Sequence, residues 1–252
     1  GIWNYEYDVA NNLTKSTDPR SMTATYTYDA LNRQLTEDSS GTTFIEFTNT
    51  YDTCENGKGQ LCATSMGDGT FSFSYSYYPL GIQKSETKTI FTLANQTTSF
   101  TYDRLGNPQN ITYPDLTQAA YTYDSAGQLE TVTTKLSNQS TFQPLLNSLE
   151  YSPLGQTAKL TYANGTITTN TYDPNALYRL TQKLTKKSTQ TLQKLDYTID
   201  PVGNITKIVD SSDTVPVGPY NSSLAKTSNF TYDDLYRLTS ATITGAVSGQ
   251  NY

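Results

Sequence analysis

Apolar and polar positions alternate along stretches such as Thr157-Ala158-Lys159-Leu160-Thr161-Tyr162 and Ile167-Thr168-Thr169-Asn170-Thr171-Tyr172, with Asn164-Gly165 between them. A period of two predicts strands, and Asn-Gly predicts a tight hairpin turn. Gly67-Asp68-Gly69 and Tyr113-Pro114-Asp115 punctuate the chain in the same way. One phrase recurs throughout: two aromatics at i and i+2, an acid, a turn residue, then a polar residue and an aliphatic. Its clear copies are Tyr26-Thr27-Tyr28-Asp29, Phe100-Thr101-Tyr102-Asp103, Tyr121-Thr122-Tyr123-Asp124 and Phe230-Thr231-Tyr232-Asp233.

Counted from the acid or its stand-in, the anchors fall at Asp8, Asp29, Asp52, Tyr78, Asp103, Asp124, Ser152, Asp173, Asp200 and Asp233, 21 to 33 residues apart. An extended backbone places both aromatics of a copy on one face of a strand. Three residues after the acid stands Gly106, Gly127, Gly155, Gly203, Asn11 or Asn32, each tolerant of a left-handed backbone. The acid therefore reads as a turn clamp that accepts hydrogen bonds from exposed amides, as in an Asx-turn. Asn12, Arg33, Asn107, Gln128, Gln156, Asn204 or Arg237 follows the turn, and an aliphatic then returns to the core face. Stacked copies are expected to set tyrosine over tyrosine and aliphatic over aliphatic, each pair worth roughly 0.2 to 1 kcal/mol. With about two strands per period, the period is too short for a four-stranded propeller blade and too long for a short-repeat β-helix. The expected fold is all-β: a repeat array of β-hairpins in a spiralling antiparallel sheet, occupying residues 1–252 as one array.

Composition agrees with strands. Of the 252 residues only 35% are hydrophobic and 16% charged, so Thr, Ser, Asn, Gln and Tyr dominate. A net charge of −6 with scattered Lys and Arg argues against a nucleic-acid partner, which needs a clustered basic footprint. No run of about 18 apolar residues is present, so membrane insertion by this segment is not expected. A start at Gly1 without Met and an end at Gly249-Gln250-Asn251-Tyr252 read as cuts through a longer polypeptide. Cys54 and Cys62, the only cysteines, flank Glu55-Asn56-Gly57-Lys58-Gly59-Gln60-Leu61. Across a hairpin they can face each other in the ladder and form a disulfide, which implies an oxidising compartment; the alternative is two reduced, half-buried thiols.

The phrase Tyr-x-Tyr-Asp-x-x-Gly-[Arg/Asn/Gln]-[Leu/Ile] resembles the YD repeat of the RHS family, shared by bacterial RHS proteins, toxin-complex shell components and teneurins. The resemblance runs from Tyr5-Glu6-Tyr7-Asp8 to Asp233-Asp234-Leu235-Tyr236-Arg237-Leu238. It implies a strip of sheet spiralling around a cavity, here an arc or partial barrel, in a secreted or surface protein that commonly holds a C-terminal toxin domain. The repeat residues it singles out are Tyr26, Tyr28, Asp29, Arg33, Tyr102, Asp103, Gly106, Tyr121, Tyr123, Asp124, Gly127, Tyr172, Asp173, Gly203, Tyr232, Asp233 and Arg237. Asp200-Pro201-Val202-Gly203 matches the family's short self-cleavage string but stands in repeat register, so it reads as an ordinary turn. Tyr78-Pro79-Leu80-Gly81 and Ser152-Pro153-Leu154-Gly155 lack the acid, and Asp173-Pro174 opens a loop with an extra residue before Tyr178-Arg179.

The sequence offers little catalytic chemistry. Without histidine there is no Ser-His-Asp or Cys-His arrangement, and two cysteines cannot build a structural zinc site. Asn56-Gly57-Lys58-Gly59 lacks the phosphate-loop pattern, and Asp52, Glu55 and Asn56 do not have a calcium-loop spacing. Glu37-Asp38 and Asp233-Asp234 alternate faces and do not converge as glycosidase carboxylates do. No catalytic residue, cofactor or metal is expected. Tyrosines beside Asn, Gln and Asp suit a glycan surface, yet they recur at the repeat period as packing requires. Sequons such as Asn95-Gln96-Thr97 and Asn204-Ile205-Thr206 carry no weight in so Asn- and Thr-rich a chain. The expected role is a non-enzymatic shell segment whose partners are flanking repeats and a C-terminal effector of the same parent chain. The alternative is a cell-surface adhesion module that binds glycan or protein.

Overall fold

The computed structural model describes residues 1–211 and 226–245; Gly249 to Tyr252 lie outside them. The regular elements are all strands: β1 (Asn4–Tyr7), β2 (Leu13–Thr17), β3 (Thr23–Tyr28), β4 (Gln34–Ser39), β5 (Phe47–Tyr51), β6 (Leu61–Met66), β7 (Phe71–Tyr77), β8 (Gln83–Ile90), β9 (Gln96–Tyr102) and β10 (Pro108–Thr112). They continue as β11 (Gln118–Tyr123), β12 (Leu129–Lys135), β13 (Gln143–Tyr151), β14 (Thr157–Tyr162), β15 (Thr166–Asp173), β16 (Arg179–Lys187), β17 (Gln190–Ile199), β18 (Ile205–Asp210), β19 (Lys226–Tyr232) and β20 (Leu238–Gly245). Among the described residues no helix is long and apolar enough to cross a membrane.

The chain separates into two compact units, residues 1–120 with 135–141, and residues 121–134 with 142–252. In the first, β1 to β10 pair in sequence order, each antiparallel to the next. In the second, β12 to β20 do the same. This arrangement matches the predicted antiparallel hairpin array.

Pairing is uneven along the strands. Across a YD loop it runs the whole length, as from Thr166↔Lys187 to Asp173↔Arg179 in β15–β16. Between hairpins it stops before the YD loops, at its shortest from Lys159↔Thr169 to Thr161↔Ile167 in β14–β15 or Lys15↔Thr25 to Thr17↔Thr23 in β2–β3, and at its longest from Gln182↔Asp196 to Lys187↔Gln190 in β16–β17. Neighbouring hairpins therefore splay apart toward the YD loops and leave a wedge there. The long ladders also carry a register shift at the second aromatic, for example at Thr27/Tyr28, Thr50/Tyr51 and Thr231/Tyr232. A bulge at that point bends the strand and raises its local twist as it enters the loop.

There is hardly a core. Among the described residues the buried side chains are Cys62, Tyr77, Ala119, Leu146 and Thr168, and the largest of these still keep a sliver of exposed surface. With so little apolar burial, the hydrogen bonds and half-buried faces of the strands carry the fold.

Candidate functional site

The loops that follow the second aromatic form the most regular chemistry in the molecule. In the loop between β3 and β4 the Asp29 amide donates to Arg33 O (3.0 Å) and the Asn32 amide to Asp29 O (3.0 Å). Asp29 Oδ1 accepts the amides of Leu31 (2.8 Å) and Arg33 (3.0 Å), and Oδ2 accepts Arg33 Nε (2.7 Å). Asp103 repeats the arrangement with Leu105, Asn107 and the Asn107 side chain, and Asp233 with Leu235, Arg237 and Arg237 Nε. Asp124 accepts the Ala126 and Gln128 amides, at 2.8 and 2.9 Å. Gly106, Gly127 and Gly203 stand at the positive-φ position of their loops, where Asn32 and Tyr236 serve elsewhere.

The exceptions follow the same geometry. Ser152 Oγ accepts the Leu154 and Gln156 amides at 3.3 and 3.2 Å, so a hydroxyl fills the acid's place. Asp173 opens a longer loop, with Leu177 and Tyr178 both left-handed, and among the described residues its carboxylate accepts the Asn175 amide alone. At Tyr78 the backbone bonds close the loop with no acid at its head.

Several carboxylates are held below their ordinary pKa by these bonds. The Arg33 amide is the foremost cause for Asp29, the Asn107 side chain for Asp103 and the Arg237 amide for Asp233. Asp52 falls to about 2, chiefly because Arg33 hydrogen-bonds to it. Negative charge accepting fixed N–H donors is stabilised in the ionised form, so these groups are committed to structure.

The second tyrosine closes the wedge. Tyr28 donates its hydroxyl to Leu13 O (2.8 Å), Tyr51 to Gln34 O (3.1 Å) and Tyr77 to Leu61 O (2.6 Å). Tyr151 donates to Leu129 O (2.9 Å), Tyr172 to Thr157 O (2.9 Å) and Tyr232 to Ile205 O (2.9 Å). Each acceptor lies just after the preceding YD loop, where the splayed strands leave its carbonyl without a ladder partner. In two copies asparagine replaces the first aromatic and joins the tyrosine on the same carbonyl, Asn49 on Gln34 O and Asn170 on Thr157 O. On the opposite face the middle residue of the phrase pairs hydroxyls across the ladder, as in Thr27–Thr36, Thr122–Thr131 and Thr231–Thr239.

These contacts correct the expected tyrosine-over-tyrosine ladder. Within the first unit, ring contact between successive copies reduces to Tyr78 edge-on to Tyr102, at 6.2 Å. Phe71–Phe73 and Phe73–Tyr75 lie along β7, and Trp3–Tyr5 joins β1 to the residue just before it. In the first unit, splaying separates most rings of successive copies and makes the phenol oxygen the useful atom.

In several copies a polar residue that follows the turn, four after the anchor or, for Arg179, six after Asp173, ties its loop to the next. Asn12 Nδ2 donates to Asn32 Oδ1 (2.9 Å), and Arg33 forks onto Asp52 (3.2 and 2.5 Å). In the second unit Gln156 Nε2 donates to Tyr178 O (3.0 Å), and Arg179 reaches Asp200 O (2.5 Å) and Pro201 O (2.8 Å). Asp200-Pro201 is thus held as a turn whose carboxylate accepts the amides of Val202, Gly203 and Asn204.

Cys54 and Cys62 form a disulfide, with Cα atoms 5.4 Å apart. The expected placement across a ladder does not hold, because Cys54 lies in the loop and only Cys62 lies on a strand, β6. Asn56-Gly57 is correspondingly part of a loop from Asp52 to Gln60, closed by the Asp52 amide on Gln60 O, and not a two-residue hairpin turn.

Sequence reasoning missed two features. Asp18 builds the same clamp at the opposite edge, taking the amides of Arg20 and Met22 and Arg20 Nε; the signal was Asp-Pro with Ser21 and Met22 after it, obscured by the missing aromatics and glycine. A row of exposed apolar residues also occupies the YD loop tips, including Leu31, Leu80 and Leu105 in the first unit and Leu154, Val202 and Leu235 in the second. The sequence shows these as the residue two after each anchor. Among the described residues no group of three or more His, Cys, Asp or Glu is placed to hold a metal ion.

Comparison with known proteins fits this repeat. The RHS repeat family model matches residues 7–43, which cover the Asp8 and Asp29 loops and the Asp18 clamp. Toxin subunit YenC1 of Yersinia entomophaga is 30% identical over 154 residues, 59% of this chain and 14% of YenC1. Residues 7–43 are an RHS-repeat segment, and its strand, clamp and strand recur in the array that follows. YenC2 of the same organism is 29% identical over 146 residues, 56% of the array and 14% of YenC2. The array thus spans about one seventh of the curated relatives it matches. Its fold is that of the TcdB2-TccC3 crystal structure, with a TM-score of 0.84 at 23% identity, covering 96% of the array and 13% of that chain. The Photorhabdus luminescens Tc holotoxin pore gives 0.83 at 23% identity, covering 96% of the array and 12% of that chain.

Proposed function

We propose that this RHS-repeat array is a wall segment of a toxin-complex-type shell, a non-enzymatic part of a larger secreted protein that encloses a C-terminal effector. The observation that carries the reading is the agreement in fold with TcdB2-TccC3 over nearly the whole array, although the array amounts to little more than an eighth of that chain. The similarity to two toxin subunits favours a shell over a surface adhesion module or a glycan binder.

The chemistry supports a wall. The YD-loop carboxylates are engaged with backbone amides and neighbouring side chains, and the sheet faces are rich in hydroxyls and amides. A polar lining gives an enclosed chain no large apolar patch to adhere to. In this reading the partners are flanking repeats on either side and the effector within, and residues 1–252 form one array.

The test is limited proteolysis with mass spectrometry on the full parent protein, intact and with the repeat wall opened by mild denaturant. Survival of a repeat-free C-terminal fragment only while the wall is intact is the expected result. Equal digestion in both states would reject enclosure and leave a spacer or adhesive array.

A further inference from the structure

We propose that the Cys54–Cys62 disulfide is a redox-operated lock on one joint of the array, opened by a thiol reductant. The Asp52–Gln60 loop is built unlike the others. Asp52 takes a left-handed backbone (φ 70°) and turns its carboxylate out to Arg33 of the preceding repeat. Inside its own loop it accepts only the Gly59 amide, at 2.6 Å. The clamp that a carboxylate supplies at Asp29 or Asp103 is thereby lost, in a loop several residues longer.

The disulfide takes over that task. It draws the loop onto β6, the Cys54 amide lies 3.0 Å from Cys62 Sγ, and Gly57 is packed so closely that a Cβ there would run into Cys54 Sγ and sit 2.6 Å from Cys62 Sγ. From this held position the loop grips the following repeat. The Tyr77 amide donates to Glu55 O (3.1 Å), Asn56 Nδ2 to Tyr77 O (2.9 Å), and Lys84 pairs with the Glu55 carboxylate (2.8 Å). Tyr77 is registered with Gln83 of β8, but the β6–β7 ladder ends at Ala63↔Ser74, so loop atoms supply the backbone partners that Tyr77 lacks on its β6 side. A single covalent bond therefore holds contacts to the repeats on both sides.

The chemistry is thiol–disulfide exchange. A thiolate of a dithiol reductant attacks Sγ of Cys54, the less buried cysteine; the S–S bond breaks, and Cys62 leaves as a thiolate that takes a proton from water. The second thiol of the reductant displaces the mixed disulfide and frees Cys54. The protein gains two electrons and two protons, and the reductant ends as its own disulfide. With only two cysteines in the chain, no rearrangement within it competes.

Hydrogen exchange with mass spectrometry on the whole chain, oxidised and then treated with dithiothreitol, tests the lock. Reduction is expected to speed exchange about tenfold or more at the Gly57, Gln60 and Tyr77 amides, with the Asp29 and Asp103 loops unchanged and protection restored on reoxidation. Cys54→Ser/Cys62→Ser should behave as the reduced chain does. Unchanged exchange at Tyr77 after confirmed reduction would overturn the proposal, as would loss of protection throughout the chain, which would make the bond a general stabiliser.

Discussion

Replacing Tyr28 by Phe removes one oxygen atom and, with it, the tie from β3 to Leu13 O across the wedge. The ring stays, so apolar burial is unchanged and the cost is that of a hydrogen bond whose acceptor is left in a half-buried wedge. A net loss of about 1 kcal/mol is expected, and about 1 to 3 kcal/mol where the acceptor is shielded from water. Tyr77 belongs to the second case: the residue is 8% exposed and its hydroxyl lies 2.6 Å from Leu61 O. For a chain of this size 1 kcal/mol corresponds to roughly 2 to 4 °C in melting temperature. Tyr26 is the control, since its hydroxyl makes no hydrogen bond with another described residue although it shares the face. Thermal melts of Tyr26→Phe, Tyr28→Phe and Tyr77→Phe should rank in that order of increasing loss. Tyr28→Phe with Tyr232→Phe, in separate units, should be additive. A Tyr28→Phe melt that coincides with Tyr26→Phe would refute the assignment of the second tyrosine to the wedge.

Other outcomes follow from the loops. The depressed carboxylates contribute stability that is full above their unfolded pKa near 3.8 and is lost as pH falls through the folded values. Melting temperature, followed by circular dichroism, should therefore decline between about pH 4 and pH 2, less steeply in Asp52→Asn, whose carboxylate sits at about 2. Gly106→Ala meets open space at φ +86° and should cost only the left-handed backbone strain of about 1 to 2 kcal/mol, read from a urea melt. Gly57→Ala places a methyl group against both sulfurs, and thiol titration of the purified variant should find free cysteines. Arg179→Lys loses the fork onto Asp200 O and Pro201 O, with about 1.5 kcal/mol and faster amide exchange at residues 202–204 expected.

Much of the fold is written locally. The spacing of Tyr26, Tyr28, Asp29 and Asn32 specifies a strand, a clamp and a reversal without reference to distant residues, so loops and strands could be read directly. The wedge could not, because it depends on pairing between hairpins stopping short, as at Lys159↔Thr169 to Thr161↔Ile167, and no sequence pattern marks where a ladder ends. Tyrosine was legible as an aromatic but not as a donor to the neighbouring hairpin. The disulfide pairing was legible from the two cysteines, whereas its loop-to-strand placement required knowing that Asp52 turns away toward Arg33.

Among the described residues every registered pairing joins strands that are neighbours in sequence, and this bears on how each unit acquires its fold. Each hairpin can dock as soon as it has been synthesised, because its partner is already in place behind it, and the loop-closure entropy to be overcome is that of one repeat and not of the whole chain. Assembly can then run in one direction, from amino to carboxyl end, with one unfinished strand edge exposed at any moment.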